Sequence, residues 1–259
     1  INVTGSTGKS EIGDATYGGS IANDNSGTIK YCRFEYTGIA LDSEHESNGI
    51  SFYGVGSGTS VEYVEIFEGA DDGVEFFGGT VNTSYIVSTY NEDDQFDWTE
   101  GWSGTNNYWY GKLGNNIGNR GIEADNLEAN FDATPIANPT INNMTLIGLG
   151  DQGSEPDAIK LRRGTKSIMS NVVLDNFLTG LNIEHDQTIA FIPTDLIPEN
   201  PPIGVLVYIV VNAFEEEDMS PYVPESESKV PVPNVSPVTF MSRPCRVPAL
   251  ILSADINPA

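Results

Sequence analysis

A short segment of alternating polar and apolar residues recurs about every 22 residues, and this repeat constrains the fold more than any other feature. Six copies begin at Asn48, Asp72, Asp94, Arg120, Asp157 and Thr179. Their first apolar residues are Ile50, Val74, Phe96, Ile122, Ile159 and Leu181, with spacings of 24, 22, 26, 37 and 22 residues. A repeat of this length is typical of a solenoid, in which each copy forms one coil that stacks on the previous coil.

A second strand-like run precedes most copies of the repeat. These runs cover residues 29–36, 61–67, 84–90, 141–147 and 167–174. Apolar residues alternate along them, Gly, Asn and Asp close them, and no stretch has a helical period over three turns. We therefore predict an all-β protein, a right-handed parallel β-helix over residues 1–190. A β-sandwich is the structural alternative, but it does not explain repeats that stay in phase.

The alternation assigns each position to a face, because neighbouring residues of a strand point to opposite sides. Two inward columns are predicted, one at Ile50, Val74, Phe96, Ile122, Ile159 and Leu181, the other at Phe52, Phe76, Trp98, Ala124, Leu161 and Ile183. The column between them faces solvent and contains Ser51, Glu75, Asp97, Glu123, Lys160 and Asn182. Both inward columns are apolar, as the core of a solenoid requires.

Several segments resemble a known group of proteins. These are Asp71-Asp-Gly-Val-Glu-Phe-Phe-Gly-Gly-Thr80, Asp97-Trp-Thr-Glu-Gly-Trp102, Gly121-Ile-Glu-Ala-Asp-Asn126 and Asp132-Ala-Thr-Pro135. They are similar to segments of bacterial right-handed parallel β-helix proteins with the pectin-lyase-like fold, often described as secreted proteins or surface lipoproteins. The resemblance covers roughly residues 15–185, and it implies the fold more strongly than any activity.

The composition excludes several classes of function. Thirty-seven acidic residues against twelve basic residues give a formal charge of −25, which disfavours binding to nucleic acid. No apolar run reaches the roughly 18 residues of a transmembrane segment. Cys32 and Cys245 are too few for a disulfide scaffold, although a bridge between them stays open. An acidic, Gly-rich chain with few cysteines suits a bacterial secreted or surface protein.

The last part of the chain differs from the repeats. Twelve of the fifteen prolines follow residue 190, together with an acidic run at residues 215–218 and an apolar, strand-like run at 203–211. Proline removes hydrogen-bond donors from a sheet and favours extended segments. We expect residues 191–259 to form a Pro-rich, acidic cap on the end of the solenoid or a separate extended segment.

Acidic side chains of consecutive repeats are predicted to cluster. Glu75, Asp97 and Glu123 would lie about 4.8 Å apart in adjacent coils. The turns before them add Asp71, Asp72, Asp93 and Asp94, and Asp125 lies alongside. One interpretation is a solvated acidic face. The other is a calcium site formed by Asp72, Glu75, Asp94, Asp97, Glu123 and Asp125, because calcium takes six to eight oxygen ligands.

A basic cluster follows the acids, at Lys160, Arg162, Arg163 and Lys166. Its simplest role is to compensate the acidic column. The resemblance implies a sharper one, since lyases of this fold use calcium to neutralise a uronate carboxylate and Lys or Arg as the base. Lys160 or Arg162 would then be catalytic, which requires a strongly lowered pKa. Asp93, Asp94 and Asp97 could alternatively supply a hydrolytic carboxylate pair.

Aromatic residues suggest a binding function without catalysis. Tyr53 and Phe77 are expected to face outward, and Trp102 and Trp109 follow the acidic column. Exposed aromatic side chains can bind sugar rings, and exposed apolar patches often mark recognition sites. The alternative is that Trp109 and a neighbour fill the core.

These observations favour a secreted or surface-exposed binding or structural module that binds a polysaccharide or a cell-surface component and is stabilised by calcium. The second hypothesis is a calcium-assisted lyase acting on acidic polysaccharides. The third is an adhesin or filament building block, because open solenoid ends can self-associate.

Overall fold

The computed structural model describes residues 1–42, 45–114, 117–192 and 245–252. Within these residues the chain winds into a right-handed parallel β-helix with one short and one long strand in each coil. The short strands form one six-stranded parallel sheet, here called the short sheet. The long strands form a seven-stranded sheet, here called the long sheet. The predicted fold class is confirmed.

The elements alternate between the two sheets in chain order. The short sheet contains β6 (Ile50–Tyr53), β8 (Val74–Phe77), β10 (Phe96–Thr99), β12 (Ile122–Ala124), β14 (Asp157–Leu161) and β16 (Thr179–Ile183). The long sheet contains β3 (Thr28–Glu35), β7 (Ser60–Phe67), β9 (Asn82–Thr89), β11 (Thr105–Lys112), β13 (Thr140–Ile147), β15 (Ser167–Asp175) and β17 (Cys245–Leu252). Two antiparallel hairpins, β1 (Thr7–Lys9) with β2 (Thr16–Gly18) and β4 (Ile39–Asp42) with β5 (His45–Ser47), lie outside these sheets. Helix α1 (Asp186–Ile189) and two 3₁₀ turns (Thr4–Ser6 and Gly150–Gln152) complete the described elements.

The strand register of the short sheet confirms the predicted columns. Glu75 pairs with Asp97, Asp97 with Glu123, and Glu123 with Lys160. The inward columns on either side stay in register over all six strands, from Ile50 to Leu181 and from Phe52 to Ile183. Nearly all of their side chains are buried. Consecutive coils therefore stack without slipping, since a shift of one residue would turn the apolar side chains to solvent.

Stacked aromatic side chains fill the middle of the core. The Phe76 ring lies 3.8 Å from the Trp102 ring between centroids, and the Phe96 ring lies 4.2 Å from the Trp109 ring. Both pairs are within 9° of parallel. Each such pair adds roughly 0.5–1.5 kcal/mol beyond the burial of its area. The first pair joins neighbouring coils and the second joins the two sheets within one coil, so flat rings pack against one another both along and across the core.

Each of the six parallel long strands, β3 to β15, contains a residue with positive φ near its middle, which the sequence alternation did not reveal. Tyr31, Tyr63, Tyr85 and Tyr108 occupy this position in the first four coils, with φ between 55° and 60°. Such a residue shifts the alternation by one, so that two consecutive side chains point outward. The runs named from sequence also missed β11, the long strand of the fourth of six described coils.

The N-terminal segment lies along the side of the helix. Its Asn2 side chain donates to Asn126 Oδ1 at 2.8 Å and to the Pro135 carbonyl at 3.0 Å. Farther along, Tyr17 donates to Glu100 Oε2 at 2.6 Å. These contacts attach residues that precede the first coil to two later coils, at the β10–β11 and β12–β13 connections.

β17 pairs antiparallel with β15 at one edge of the long sheet, whereas β3 forms the opposite edge. Six inter-strand steps of about 4.8 Å, about 29 Å in all, therefore separate the strands that contain Cys32 and Cys245. A disulfide between them is excluded, because bridged Cα atoms lie within about 7 Å. The predicted strand at 203–211 and the acidic and Pro-rich runs lie outside the described residues. No helix among the described residues is long and apolar enough to span a membrane.

Candidate metal and ligand site

The acidic side chains of the short sheet form one continuous cluster on its outer face. Three groups each bring one oxygen per residue to within 4.8 Å of one another: Asp71, Asp72 and Asp93; Asp72, Glu75 and Asp97; and Asp94, Asp97 and Glu123. The second and third groups share Asp97. Five of the six predicted metal ligands are therefore brought together, and Asp71 and Asp93 extend the cluster.

Two of these acids also organise the turns before the short strands. Asp72 Oδ1 accepts a hydrogen bond from the Asp94 amide at 2.9 Å, and Asp94 Oδ1 accepts from the Arg120 amide at 2.6 Å. Each carboxylate thereby satisfies a backbone N–H of the next coil with one oxygen. The second oxygen of each is not used by these backbone contacts.

Burial makes these carboxyl groups hard to ionise. Loss of water is the largest cause that raises the pKa of Asp72, Glu75, Asp94 and Asp97 well above their ordinary values, and neighbouring carboxylates add to it. At the edge of the cluster, burial and the charges of Glu46 and Asp93 raise the pKa of Asp71 to about 7. A cation bound among them would stabilise the ionised forms.

Basic residues balance only one half of the cluster. Arg120 lies 3.0 Å from Glu123 Oε1, 3.2 Å from Glu155 Oε2 and 3.8 Å from Asp94 Oδ2. Arg162 also pairs with Glu123. In the part of the chain that the structure describes, no Lys or Arg forms an ion pair with Asp72, Glu75 or Asp97.

The sixth predicted metal ligand, Asp125, lies outside the cluster. Its carboxylate accepts from Arg162 Nε at 2.7 Å and from Arg163 Nη1 at 2.6 Å. Two guanidinium groups thus neutralise it, and no oxygen of Asp125 joins the three groups of acids. Its inclusion as a metal ligand is wrong for this geometry, because its oxygens are already used by arginine.

The two predicted catalytic bases are also held in ion pairs. Lys160 Nζ lies 3.2 Å from Glu184 Oε1. Burial desolvates the Arg162 guanidinium, but its hydrogen bond to Asp125 and the charges of Asp125 and Glu123 outweigh this and raise its pKa. A base that abstracts a proton needs the opposite shift, so these contacts do not favour Arg162 as a base. Charge compensation, the simpler interpretation of this cluster, describes both contacts.

The expected outward aromatic pair is covered by the N-terminal segment. The Tyr17 ring packs at 4.8 Å from the Tyr53 ring and 6.5 Å from the Phe77 ring, between centroids. Phe77 is buried and Tyr53 is half-buried, and the Tyr53 hydroxyl donates to Glu11 Oε2 at 3.2 Å. The prediction that this pair is exposed to ligand is therefore wrong, since residues before the first coil cover it.

Trp102 and Trp109 lie in the core and expose no ring face. They are 0 % and 2 % exposed, and their indole nitrogens donate to the Val81 carbonyl at 3.2 Å and to Thr83 Oγ1 at 2.8 Å. Trp109 continues an inward column of the long sheet, next to Ile86 and Met144. The predicted exposed binding surface at these residues is contradicted, and the core-filling alternative describes both.

Sequence reasoning missed three residues at the cluster. Arg120 is the first residue of its repeat, the position that Asp72 and Asp94 occupy in the two preceding repeats. The comparison of the repeats therefore indicated that Arg120 lies beside these acids. Asn48 starts its repeat in the same way, and its amide donates to Glu75 Oε2 at 2.7 Å. Glu11 lies outside the repeats and gave no signal. Its Oε2 accepts from Asn48 Nδ2 at 3.3 Å, and burial raises its pKa to about 7.

One protein-family model matches residues 1–204, and it describes a pectate-lyase-like beta helix domain. No curated protein and no solved structure matches the chain. The match covers all six coils of the described solenoid and most of the sequence. With the observed parallel sheets, it establishes that the chain belongs to the family of pectate-lyase-like beta helix domains.

Proposed function

We propose that this chain is an extracellular or cell-surface binding module that binds calcium on its short sheet and, through calcium, an acidic polysaccharide. The observation that supports this most is the group formed by Asp72, Glu75 and Asp97. Their oxygens lie within 4.8 Å of one another, and no described base is paired with them. Three desolvated carboxylates without an ion-pair partner are costly unless they stay protonated or hold a cation.

The chemistry of the ligands favours calcium over a transition metal. Every residue of the three acidic groups offers a carboxylate oxygen, and none is a histidine or a cysteine. Hard oxygen donors suit calcium, which accepts six to eight of them in irregular geometry. The second oxygens of Asp72 and Asp94, which the turn hydrogen bonds leave unused, would contribute to such a site.

A calcium ion at this position would also attract an anionic ligand. The acids lie on the outer face of the short sheet, and the next coil presents Lys160, Arg162 and Arg163 beside them. The carboxylate of a uronic acid could complete the coordination of the ion, and the basic residues could orient the neighbouring sugar. Without the cation, a chain with a formal charge of −25 repels acidic polysaccharides.

The first prediction concerns calcium itself. Calcium should raise the melting temperature of the chelator-treated protein, and Asp97→Asn should abolish most of that rise because Asp97 belongs to two of the acidic groups. Asp132→Asn is the matched control, since Asp132 is an exposed acid in the β12–β13 connection. An unchanged melting temperature on adding calcium, measured by calorimetry, contradicts the proposed site.

The polysaccharide is tested separately, with polygalacturonate and alginate as probes. Binding that requires calcium and is lost in Asp97→Asn supports the module. The release of unsaturated products, followed by ultraviolet absorbance, would establish a lyase instead. If neither probe binds in a calcium-dependent way, the acidic-polysaccharide part of the proposal is contradicted. The result on calcium binding is not affected.

A further inference from the structure

Four exposed tyrosines form a continuous stack on the outer face of the long sheet. We call Tyr31, Tyr63, Tyr85 and Tyr108 the tyrosine stack. Adjacent ring centroids lie 4.9, 4.5 and 4.7 Å apart, and adjacent planes are within 7° of parallel. Between 41 % and 79 % of each residue is exposed to solvent. The sequence repeat did not reveal this surface, because it lies on the strand that the repeat does not use.

The fold does not require tyrosine at these positions. In the next two coils the same column holds Asn143 and Asn171, with φ of 60° and 51°. The Asn171 amide donates to Asn143 Oδ1 at 2.6 Å, so asparagine also forms a ladder there. Asparagine adopts positive φ more readily than other non-glycine residues, for which this conformation costs roughly 1–2 kcal/mol. Four strained and exposed tyrosines therefore indicate a role outside the fold.

The tyrosine stack forms one wall of an open groove of about 600 Å³. Val87 and Tyr110 line it from the other side of the bend in the long strands. At the end near Tyr31 the charges are paired, because Lys30 lies 3.0 Å from Glu62 and Arg33 lies 3.2 Å from Glu65. Farther along, the residues that directly precede Tyr85 and Tyr108 are neutral. They are Ser84 and Asn107. The groove is thus close to neutral on a strongly acidic protein.

The geometry of the rings limits what can bind. Parallel rings less than 5 Å apart cover one another's faces, so Tyr63 and Tyr85 present ring edges and hydroxyl groups to the groove. Tyr31 ends the stack among the described residues and is 79 % exposed, which leaves its outer ring face open. The groove therefore offers regularly spaced hydroxyl groups, apolar ring edges and one flat aromatic face.

From these features we infer that the groove binds a neutral polysaccharide, which lies along the tyrosine stack with one sugar ring on the open face of Tyr31. Identical groups at constant spacing suit a ligand that repeats, and the paired charges suit one without net charge. Sugar hydroxyl groups can exchange hydrogen bonds with the tyrosine hydroxyl groups, while sugar C–H groups pack on ring carbons. This site is distinct from the acidic cluster on the short sheet and needs no cation.

The test measures binding of the full chain to cellulose, β-mannan, chitin and β-1,3-glucan. Chelator is present throughout, so that calcium-dependent binding does not contribute. The double variant Tyr63→Asn/Tyr85→Asn replaces the middle of the stack with the residue that later coils use at the same φ. We expect the wild-type protein to bind at least one of these polysaccharides. The variant should bind it at least about tenfold more weakly, with an unchanged circular dichroism spectrum.

Tyr36→Asn provides the matched control, because Tyr36 is 67 % exposed, has φ of 55° and lies outside the stack. It should bind like the wild type. Should the double variant unfold, Tyr31→Asn at the exposed end of the stack answers the same question. The inference is overturned if the wild type binds none of the four polysaccharides, or if the stack variants bind as tightly as the wild type. A stack-dependent dimer without glycan binding would assign the surface to a second copy instead, and would also overturn it.

Discussion

Gly73 lies where the turn before β8 passes closest to a buried polar network of the core. Asn91 Nδ2 donates to Ser88 Oγ and to Gln95 Oε1, both at 2.8 Å. A Cβ added at Gly73 would lie 1.9 Å from Ser88 Oγ, 2.4 Å from Asn91 Nδ2 and 2.7 Å from the Gln95 carbonyl oxygen. The Asp-Asp-Gly string of the repeat thus needs its glycine for space.

We predict that Gly73→Ala lowers the free energy of unfolding by about 1–3 kcal/mol in urea titration. For comparison, Gly153→Ala, whose Cβ would meet nothing closer than 3.2 Å, should cost much less, and equal losses would refute this explanation.

At the scale of elements, Asn126 fixes the long connection between β12 and β13. Its amide donates to the carbonyls of Phe131 at 3.0 Å and Ala133 at 2.9 Å, and its Oδ1 accepts from the Ala137 amide and Asn2 Nδ2, both at 2.8 Å. Asn126 is 0 % exposed, so removing its side chain leaves buried polar groups without partners.

We therefore predict that Asn126→Ala lowers the free energy of unfolding by about 2–4 kcal/mol and speeds proteolysis of the connection and the N-terminal segment. Urea titration and limited proteolysis read by mass spectrometry measure the two effects. The control is Asn130→Ala in the same connection, where the side chain is exposed and, among the described residues, accepts only from the Asp132 amide at 3.2 Å. Equal stability of the two variants would show that the hydrogen bonds of Asn126 do not hold the connection.

The short and long strands differ in how far the sequence predicts them. A short strand such as β10 alternates strictly over four residues, so its apolar residues alone determine face and register. In a long strand such as β11, the positive φ of Tyr108 breaks the alternation, and no local residue pattern signals that conformation for tyrosine. The stack of exposed tyrosines was therefore invisible, although the spacing of Tyr63, Tyr85 and Tyr108 matches the repeat.

The candidate site shows the same division between local and distant contacts. The acidic column was predictable, because Glu75, Asp97 and Glu123 occupy equivalent positions of consecutive repeats. The covering of Tyr53 and Phe77 was not, since Tyr17 reaches them from outside the repeats. Contacts between a repeat and a segment without a repeat depend on the path of the chain, which no period in the sequence encodes.

The acidic cluster on the short sheet makes the stability of the whole molecule depend on pH. Burial raises the folded-state pKa of Asp71 and Glu11 to about 7, and that of Asp72, Glu75, Asp94 and Asp97 well above the ordinary value. In the unfolded chain these groups titrate near pH 4. Between about pH 4 and 7 the folded protein therefore binds more protons than the unfolded protein, so its stability falls as the pH rises through this range.

We predict that the melting temperature of the chelator-treated protein is several degrees higher at pH 5 than at pH 8. Calcium should reverse much of this loss at pH 8, because it stabilises the ionised carboxylates that burial disfavours, and it should have little effect at pH 5, where protons compete for the same oxygens. Calorimetry at both pH values, with chelator and with calcium, gives the four melting temperatures.

Magnesium serves as the control cation, since its small octahedral shell fits an irregular group of carboxylates less well. A melting temperature that rises from pH 5 to pH 8 in chelator would mean that these carboxylates are stabilised as anions by the protein itself, and that no cation is needed to hold the acidic face together.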